Sequence, residues 1–284
     1  NSSGRNVVRV TLASNQSYWY LEFVFRVIAL FSLILIKTVS HNVIVHLHLT
    51  KAIYLAPLIS LLPVKIFITE HNTWNKRRRY SWLRIYERLA YSRAIKIIAV
   101  SKAVGLNLEK WLNLPEIKCK IEVIYNGIPL EKRQLTYRPI ISSRCLNILV
   151  VGSLTQQKNV RLVIETLANW KYEKWFCTIA GSGPQFKQLQ NIIQRRKLTE
   201  KIFLAGYLSH INIAYCSSDI LVVSSEWEGF GLVAVEAMSH GLPVVWPDVS
   251  GIDEVVDSAP YNFKFAVGNS TSLASSLNDA RILV

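Results

Sequence analysis

Two glutamates and the glycine-rich turn between them are the residues best suited to chemistry in this sequence of 284 residues. Glu228 precedes Gly229-Phe230-Gly231, and Glu236 lies eight residues beyond Glu228. An apolar strand pattern ends just before this segment, and the following pattern predicts a helix over Gly231–Ser239. The amides left unpaired at such a helix start are those of Phe230, Gly231 and Leu232. Together with the helix dipole, these amides favour an anion.

The spacing of the two carboxylates decides between two kinds of chemistry. Eight residues at helical rise place Glu228 and Glu236 on the order of 10 Å apart. A carboxylate pair that flanks one glycosidic bond in a retaining hydrolase needs roughly 5 Å. The longer distance instead suits two contacts along one elongated ligand. An amphipathic helix with two incidental glutamates is the alternative without a function.

A second strand-to-helix turn carries a lysine. Gly152 and Ser153 follow the predicted strand Leu146–Val151, and Lys158 stands just before the next predicted helix. Because glycine lets a ligand approach the backbone closely and lysine supplies positive charge, this turn can hold a diphosphate. The alternative is an exposed lysine at the start of a helix.

Two shorter glycine turns follow the strands predicted next in the chain. Gly181 opens a Gly-x-Gly-Pro turn after Trp175–Ala180, and Tyr207 follows Gly206 at the end of Lys201–Ala205. A lone Gly-x-Gly is a weak signal, because the third glycine of a dinucleotide-binding fingerprint is absent. A purely structural role therefore stays open for both turns.

The first half of the sequence offers histidines as candidate functional residues. His71 stands just past the predicted strand Val64–Thr69, at the end of a parallel strand where ligands bind. His46 and His48 alternate on one face of another predicted strand. Two histidines could begin a metal site, but no third ligand is evident, so no metal is expected. A loop histidine without a role is the alternative for His71.

Strands and helices alternate along the whole sequence in two series, which predicts an α/β protein. Short apolar strands between helices are typical of parallel sheets covered on both faces. Residues 132–144 are polar, carry Pro139 and lack a clear period, so they predict a linker. We therefore expect two Rossmann-like domains, over residues 1–140 and 141–284, facing a cleft at their strand ends.

Positive charge is confined to the first of these domains. Residues 1–140 hold 21 Lys and Arg against 7 Asp and Glu, a net +14, whereas residues 141–284 hold 12 of each. Such one-sided charge predicts an anionic partner for the first domain. The run Lys76–Trp82 joins basic and aromatic residues and favours an anionic membrane surface, because no nucleic-acid-binding fold accompanies it. A solvated loop is the alternative for this run.

Neither a secretory signal nor a membrane-spanning helix is predicted. The apolar run Val27–Ile36 has ten residues, whereas a span needs roughly 20. The four cysteines have no zinc-ligand spacing and are typical of reduced thiols in a cytosolic protein. We expect a cytoplasmic protein that is peripheral on the cytoplasmic face of the membrane.

The motifs together resemble those of the retaining GT-B glycosyltransferases known as group 1 or family 4. Glu228-x7-Glu236 resembles the E-x7-E motif of that family, and Ala237–Val244 continues its pattern. Gly152–Asn159 is similar to the family's phosphate loop, and Ile68–Thr73 to its T-x-H segment. The resemblance is strong over the second series of elements and looser before it.

The resemblance implies a role for each residue. Glu228 and His71 would orient the donor sugar as the catalytic residues, and Glu236 would bind the ribose hydroxyls. The other donor-binding positions are Gly152, Ser153, Lys158, Gly181, Tyr207, Phe230, Gly231 and Leu232. Ser153 stands where the family usually has an arginine, so one positive charge is missing from the phosphate site.

The resemblance also implies the reaction. A sugar would move, with retention of its anomeric configuration, from a UDP-sugar to a lipid-linked or polysaccharide acceptor in cell-surface glycan synthesis. No cofactor or metal would be required, and nucleic acid is not an expected partner. The alternatives are a nucleotide-sugar epimerase of the same fold and a catalytically silent fragment or subunit. The family's opening glycine-rich loop and final helix are not matched, so we expect a truncated N-terminal domain or a reduced protein.

Overall fold

The computed structural model describes residues 27, 31–35, 38, 42–129, 145–257 and 259–284. The predicted linker lies outside these residues. The chain separates into two compact units. The first holds most of the residues up to Ile124, and the second holds Tyr125–Val284 together with two short segments, Asn72–Trp74 and Ser101–Ala103.

The first unit is built on a four-stranded sheet in which each strand pairs in parallel with the next strand of the chain. Its strands are β1 (Val43–His48), β2 (Val64–Glu70), β3 (Lys96–Ala99) and β4 (Ile121–Val123). Its helices are α1 (Leu49–Ile53), α2 (Ala56–Ile59), α3 (Leu83–Ser92), α4 (Lys102–Leu112) and α5 (Pro115–Lys118), and a 3-10 turn covers Lys76–Arg79. Buried Ile66, Ile68 and Ile97 form the centre of its core.

The connection between β1 and β2 differs from the pattern that the sequence suggests. The apolar residues between these strands read as one helix, whereas the chain forms two short helices, α1 and α2. Pro57 lies in the first turn of α2. Proline has no amide hydrogen for an intrahelical bond, so it is tolerated at a helix start and interrupts a longer helix.

A buried network of charges lies beneath α3 in the first unit. Arg78 donates from its terminal nitrogen to Glu70 Oε2 at 2.8 Å and from Nε to Glu87 Oε2 at 3.3 Å. Tyr91 OH donates to Glu70 Oε2 at 2.6 Å, and Trp111 Nε1 donates to Glu87 Oε2 at 2.7 Å. The Lys76–Trp82 run is therefore not a uniformly solvated loop, because one of its four consecutive cations is paired inside the unit.

The second unit contains a six-stranded sheet. Its strands are β5 (Leu146–Val151), β6 (Trp175–Ala180), β7 (Ile202–Gly206), β8 (Ile220–Val222), β9 (Val244–Pro247) and β10 (Phe263–Phe265). Its helices are α6 (Val160–Ala168), α7 (Phe186–Arg195), α8 (Ile211–Ser217), α9 (Leu232–Ser239), α10 (Ser250–Val256) and α11 (Ser270–Ile282), and a 3-10 turn covers Gln156–Lys158.

The order of the strands in this sheet locates its ligand-binding edge. The order is β10-β9-β8-β5-β6-β7, and all pairs are parallel. This is the order of a doubly wound dinucleotide-binding sheet, with β5 as its first strand. The direction of winding reverses between β5 and β8, and ligands of such sheets bind beyond the carboxyl ends of the strands at that point.

Two apolar layers cover the faces of this sheet. Ile148 and Val150 belong to a buried cluster with Val163 of α6, whereas Leu149 belongs to a second cluster with Ala234 of α9. Successive residues of β5 thus pack into the apolar layers on opposite faces of the sheet. Both faces of this strand are buried, so its sequence is a continuous apolar run. The rigid central strands therefore fix where their carboxyl-terminal loops begin.

Candidate functional site

The predicted ligand-binding residues of the second unit follow neighbouring strands of its sheet. Gly206 ends β7, Gly181 follows β6 and Gly152 follows β5. Gly181 N donates a hydrogen bond to Gly206 O at 2.7 Å. Gly152 N donates to the carbonyl of Ala180, the residue before Gly181, at 3.0 Å, so backbone hydrogen bonds link the three turns. The loop Ser224–Gly231 follows β8 on the other side of β5. Motifs that are separate in the sequence therefore share the switch-point edge.

The Gly181 turn has a structural requirement for glycine. Its φ is +152°, and a Cβ there would lie 1.8 Å from the carbonyl oxygen of Gly152. A side chain at this position would force the ends of β5 and β6 apart. This close approach accounts for the glycine whether or not the turn also contacts a ligand.

An ion pair joins the loop after β5 to the loop after β8. Lys158 Nζ pairs with Glu228 Oε1, and Ser225 Oγ donates to the same carboxylate oxygen at 2.7 Å. Gln157 Nε2 donates to Trp227 O at 2.9 Å, which ties the two loops a second time. Glu228 is buried, and a buried carboxylate is tolerated when it is paired and hydrogen-bonded. The lysine and the first glutamate of the predicted site are therefore in direct contact.

The backbone around Glu228 is held by other parts of the second unit. Thr73 Oγ1 donates to Glu228 O at 2.9 Å, and Ser101 Oγ donates to Gly229 O at 2.7 Å. A Cβ at Gly251 would lie 2.0 Å from Glu228 O, so α10 approaches this loop through a residue without a side chain. Two side-chain hydrogen bonds and one close backbone approach therefore hold the backbone of this loop.

The helix start predicted between the two glutamates is present. Helix α9 begins at Leu232 with Gly231 as its N-cap at φ +83°, and Ala234 N donates to Gly231 O at 2.9 Å. The amides that precede Ala234 are those of Gly231, Leu232 and Val233, one residue later than the set Phe230, Gly231 and Leu232 that the sequence predicts. They lie next to Glu228 in the chain, at the positive end of the helix dipole.

The second glutamate has a partner that the sequence did not reveal. Tyr215 OH donates to Glu236 Oε2 at 2.7 Å, and the His240 ring stacks on the Tyr215 ring with centroids 5.1 Å apart. Burial, and then the hydrogen bond to Glu236, raise the pKa of Tyr215, so the phenol stays a hydrogen-bond donor. One oxygen of the Glu236 carboxylate is thereby fixed in direction.

Two predicted positions on this edge have exposed side chains. Tyr207 directly follows the end of β7, and its ring lies in solvent. Ser153 is exposed in the loop after β5, and its hydroxyl can donate a hydrogen bond but brings no charge. The positive charge of the segment Gly152–Asn159 is therefore that of Lys158 alone.

His71 lies just past the end of β2 in the first unit, as predicted, and belongs to a row of histidines. His48 Nδ1 and His71 Nε2 are 3.1 Å apart, and the His46 and His48 ring centroids are 4.1 Å apart. Burial, and then the neighbouring His48, lower the pKa values of His46 and His71. Within the described ranges, no three His, Cys, Asp or Glu side chains are arranged to hold a metal.

Two family models match the chain. Residues 143–281 match the model of "Glycosyl transferases group 1", and residues 2–132 match that of "Glycosyltransferase Family 4". An uncharacterised glycosyltransferase of Methanocaldococcus jannaschii is 32% identical over 183 residues. The O-antigen biosynthesis glycosyltransferase WclY of Escherichia coli is 30% identical over 156 residues.

These alignments cover 60% and 51% of this chain but 46% and 42% of the relatives, so the chain spans about half of their length. Among solved structures, Anabaena HepE in complex with UDP matches with a TM-score of 0.75 and 20% identity, over 88% of this chain and 71% of that one. At this identity the likeness concerns the fold, which is GT-B. The predicted fold class is therefore confirmed.

The row formed by His46, His48 and His71 predicts that the first unit is less stable to unfolding in acid. Because the folded-state pKa values of His46 and His71 lie below the unfolded value of about 6.5, the unfolded chain binds protons more tightly. The stability contributed by the neutral rings is present above about pH 6.5 and is lost as the pH falls through the folded-state values. Thermal unfolding at a series of pH values should show a lower midpoint in acid. His48→Asn should reduce this acid-induced drop.

The matched control is His210→Asn, since His210 is an exposed histidine of the second unit. It should leave the pH profile of the first unit unchanged. An equal acid-induced drop in wild type and His48→Asn would contradict the assignment to the histidine row.

Proposed function

This chain belongs to the group 1 and family 4 glycosyltransferases, and we propose that it transfers a sugar from a nucleotide-diphosphate donor to an acceptor with retention of configuration. The observation that carries the proposal is the meeting of Lys158, Glu228 and the start of α9 at the switch point of the second sheet. Such a constellation suits an elongated anionic ligand whose sugar end lies near a carboxylate.

The proposed donor is a UDP-sugar and the proposed product a cell-surface glycan. The Anabaena protein with the same fold was solved with UDP, which supports a uridine nucleotide. The relative from Escherichia coli acts in O-antigen biosynthesis, which supports a lipid-linked or polysaccharide acceptor. The donor and the acceptor are both proposed from relatives and from the motif resemblance. Assays of UDP release and of the glycan product would measure them directly.

The diphosphate is proposed to lie between Lys158 and the first amides of α9. As the bond from the anomeric carbon to the diphosphate oxygen breaks, negative charge grows on that oxygen. Preorganised amides and a lysine stabilise charge that develops in this way, and no metal ion is required for it. Since Lys158 pairs with Glu228, the phosphates would share a lysine whose position is already set.

The remaining groups are proposed to orient the donor. Glu236 would bind the ribose hydroxyls with a carboxylate that Tyr215 holds. Both described contacts of the Glu228 carboxylate are made by Oε1, so Oε2 is proposed to accept from a hydroxyl of the sugar. We propose that His71 contacts the sugar, because residues 68–73 resemble the T-x-H segment of the family. The acceptor hydroxyl oxygen would form the new bond to the anomeric carbon on the face that the diphosphate leaves, and the departing diphosphate oxygen would take the hydroxyl proton, without a covalent intermediate.

A catalytically silent nucleotide-binding subunit is the second candidate function. Ser153 favours it, because the charge that an arginine would add to the phosphate site is missing. An epimerase would release UDP and a rearranged sugar without any acceptor. Product analysis separates the three candidate functions. A transferase forms a new glycosidic bond to an acceptor, an epimerase forms a rearranged sugar without one, and a silent subunit forms no product.

We also propose that the first unit binds an anionic membrane surface at the cytoplasmic face. The net +14 charge of residues 1–140 supports an anionic partner. Of the helices that the structure describes, none has the length and apolar character to cross a bilayer. Binding to vesicles that contain phosphatidylglycerol should weaken as salt is added, and failure to bind at low salt would contradict the proposal.

Replacing the first glutamate tests the enzyme assignment. Glu228→Gln keeps the size of the side chain but removes the charge proposed to orient the sugar. Its turnover of a UDP-sugar, measured as UDP release with and without glycan acceptors, should fall about 100-fold or more. UDP binding, measured by calorimetry, should also weaken, because Lys158 loses the partner that sets its position, but by a smaller factor than the turnover.

The matched control is Glu226→Gln, two residues away in the same loop, which should keep wild-type turnover. Tight UDP binding with no turnover by wild type or variant would instead identify a silent subunit. Equal turnover by wild type and Glu228→Gln would contradict the role of this carboxylate.

Tyr215 is predicted to position the ribose-binding carboxylate. Tyr215→Phe removes the hydrogen bond to Glu236 and should weaken UDP binding about tenfold, which is the scale of one hydrogen bond to a charged group. The affinity for 2′,3′-dideoxy-UDP should not change, because that nucleotide lacks the hydroxyls proposed to contact Glu236. Calorimetric titration of both nucleotides measures the difference.

Tyr261→Phe is the control, since Tyr261 is an exposed tyrosine of the same unit. An equal loss of affinity for both nucleotides would show that Tyr215 serves the fold and not the ribose contact.

A further inference from the structure

Helix α3 of the first unit and the residue before it expose four large apolar side chains, although the helix also buries Ala90 and Tyr91. Trp82, Ile85, Tyr86 and Leu89 are exposed by 67, 73, 40 and 42%. Their spacing of three, four and seven residues from Trp82 places them on one face of the helix. A helix of a soluble domain normally buries its apolar face, so this exposed stripe needs a physical reason.

The charge network beneath α3 sets the rotation of the helix about its axis. Glu87 and Tyr91 lie on the opposite face from the stripe and are buried. The Glu87 carboxylate accepts from Arg78, from Trp111 and, through Oε1, from Tyr54 OH at 3.0 Å. Because turning the stripe inward would break these contacts and expose a buried ion pair, the outward stripe is fixed by the fold.

The surroundings of the stripe are cationic. Residues 76–96 contain eight Lys and Arg but one acidic residue, Glu87, which is buried and paired with Arg78. Arg79 and Arg93 are exposed near the two ends of α3. An apolar stripe with basic flanks is complementary to an anionic lipid surface, where rings and aliphatic chains enter the headgroup boundary and cations meet phosphates.

We propose that the exposed face of α3, formed by Trp82, Ile85, Tyr86 and Leu89, is the surface that docks on anionic phospholipid. The inference rests on the proposed membrane association and names the surface responsible. A second copy of this chain is a poorer occupant, because two faces with the same positive charge would repel each other. The helix would lie in the plane of the interface, with its apolar face towards the acyl chains.

The test uses the full chain and vesicles of phosphatidylcholine with or without phosphatidylglycerol. Wild type should co-sediment with the phosphatidylglycerol vesicles and bind poorly to phosphatidylcholine alone. Ile85→Ser combined with Trp82→Ser should lower the partition coefficient about tenfold or more, because two buried apolar side chains are lost. Arg79→Gln and Arg93→Gln should each lower it roughly fivefold at low salt.

The matched control is Ile213→Ser, because Ile213 of α8 is 70% exposed in the second unit. This variant should bind vesicles like wild type. All variants should keep wild-type UDP binding and thermal midpoint, which shows that they are folded.

The outcomes separate the two proposals. Wild type that does not bind the anionic vesicles overturns both the membrane association and the docking surface. Wild type that binds while the Trp82 and Ile85 variant binds equally overturns the docking surface alone. A wild-type dimer in light scattering that the same substitutions dissociate, without vesicle binding, assigns the stripe to a second copy and overturns the proposal.

Discussion

The ion pair between Lys158 and Glu228 is the interaction on which the donor site depends. It joins two loops that leave neighbouring strands on either side of the switch point, and it gives a buried carboxylate an oppositely charged partner. The start of α9 follows directly after that carboxylate. Positive charge, negative charge and free amides thus occupy one edge because the strand order brings them together.

The two halves of the chain use charge in different ways. The second unit places the ion pair of Lys158 and Glu228 in the loops that follow two central strands. The first unit buries a small network around Arg78, and most of the other Lys and Arg side chains that the structure describes there are exposed. The buried network orients α3, so an interior ion pair determines which face of that helix meets solvent. In both units paired charges determine geometry, and the functions we propose depend on that geometry.

Local patterns in the sequence predicted the α/β class, the helix start after Glu228 and the lysine loop, because each is set by residues close together in the chain. The partners of the glutamates were not predictable in this way. Tyr215 lies on an otherwise ordinary short helix, and Ser225 is one of two adjacent serines, so neither has a local signal. The burial of Arg78 within a basic run also depends on Glu70 and Glu87, which belong to different elements.

Hydrogen–deuterium exchange with UDP present tests the central claim most directly, because the claim places the diphosphate on particular backbone amides. We expect saturating UDP to slow exchange in peptides that cover Gly152–Asn159 and Ser225–Met238. Uridine should protect the amides of Gly231, Leu232 and Val233 at the start of α9 much less, since it lacks the phosphates. Protection confined to other parts of the chain, or equal protection by uridine and UDP at the start of α9, would contradict the account.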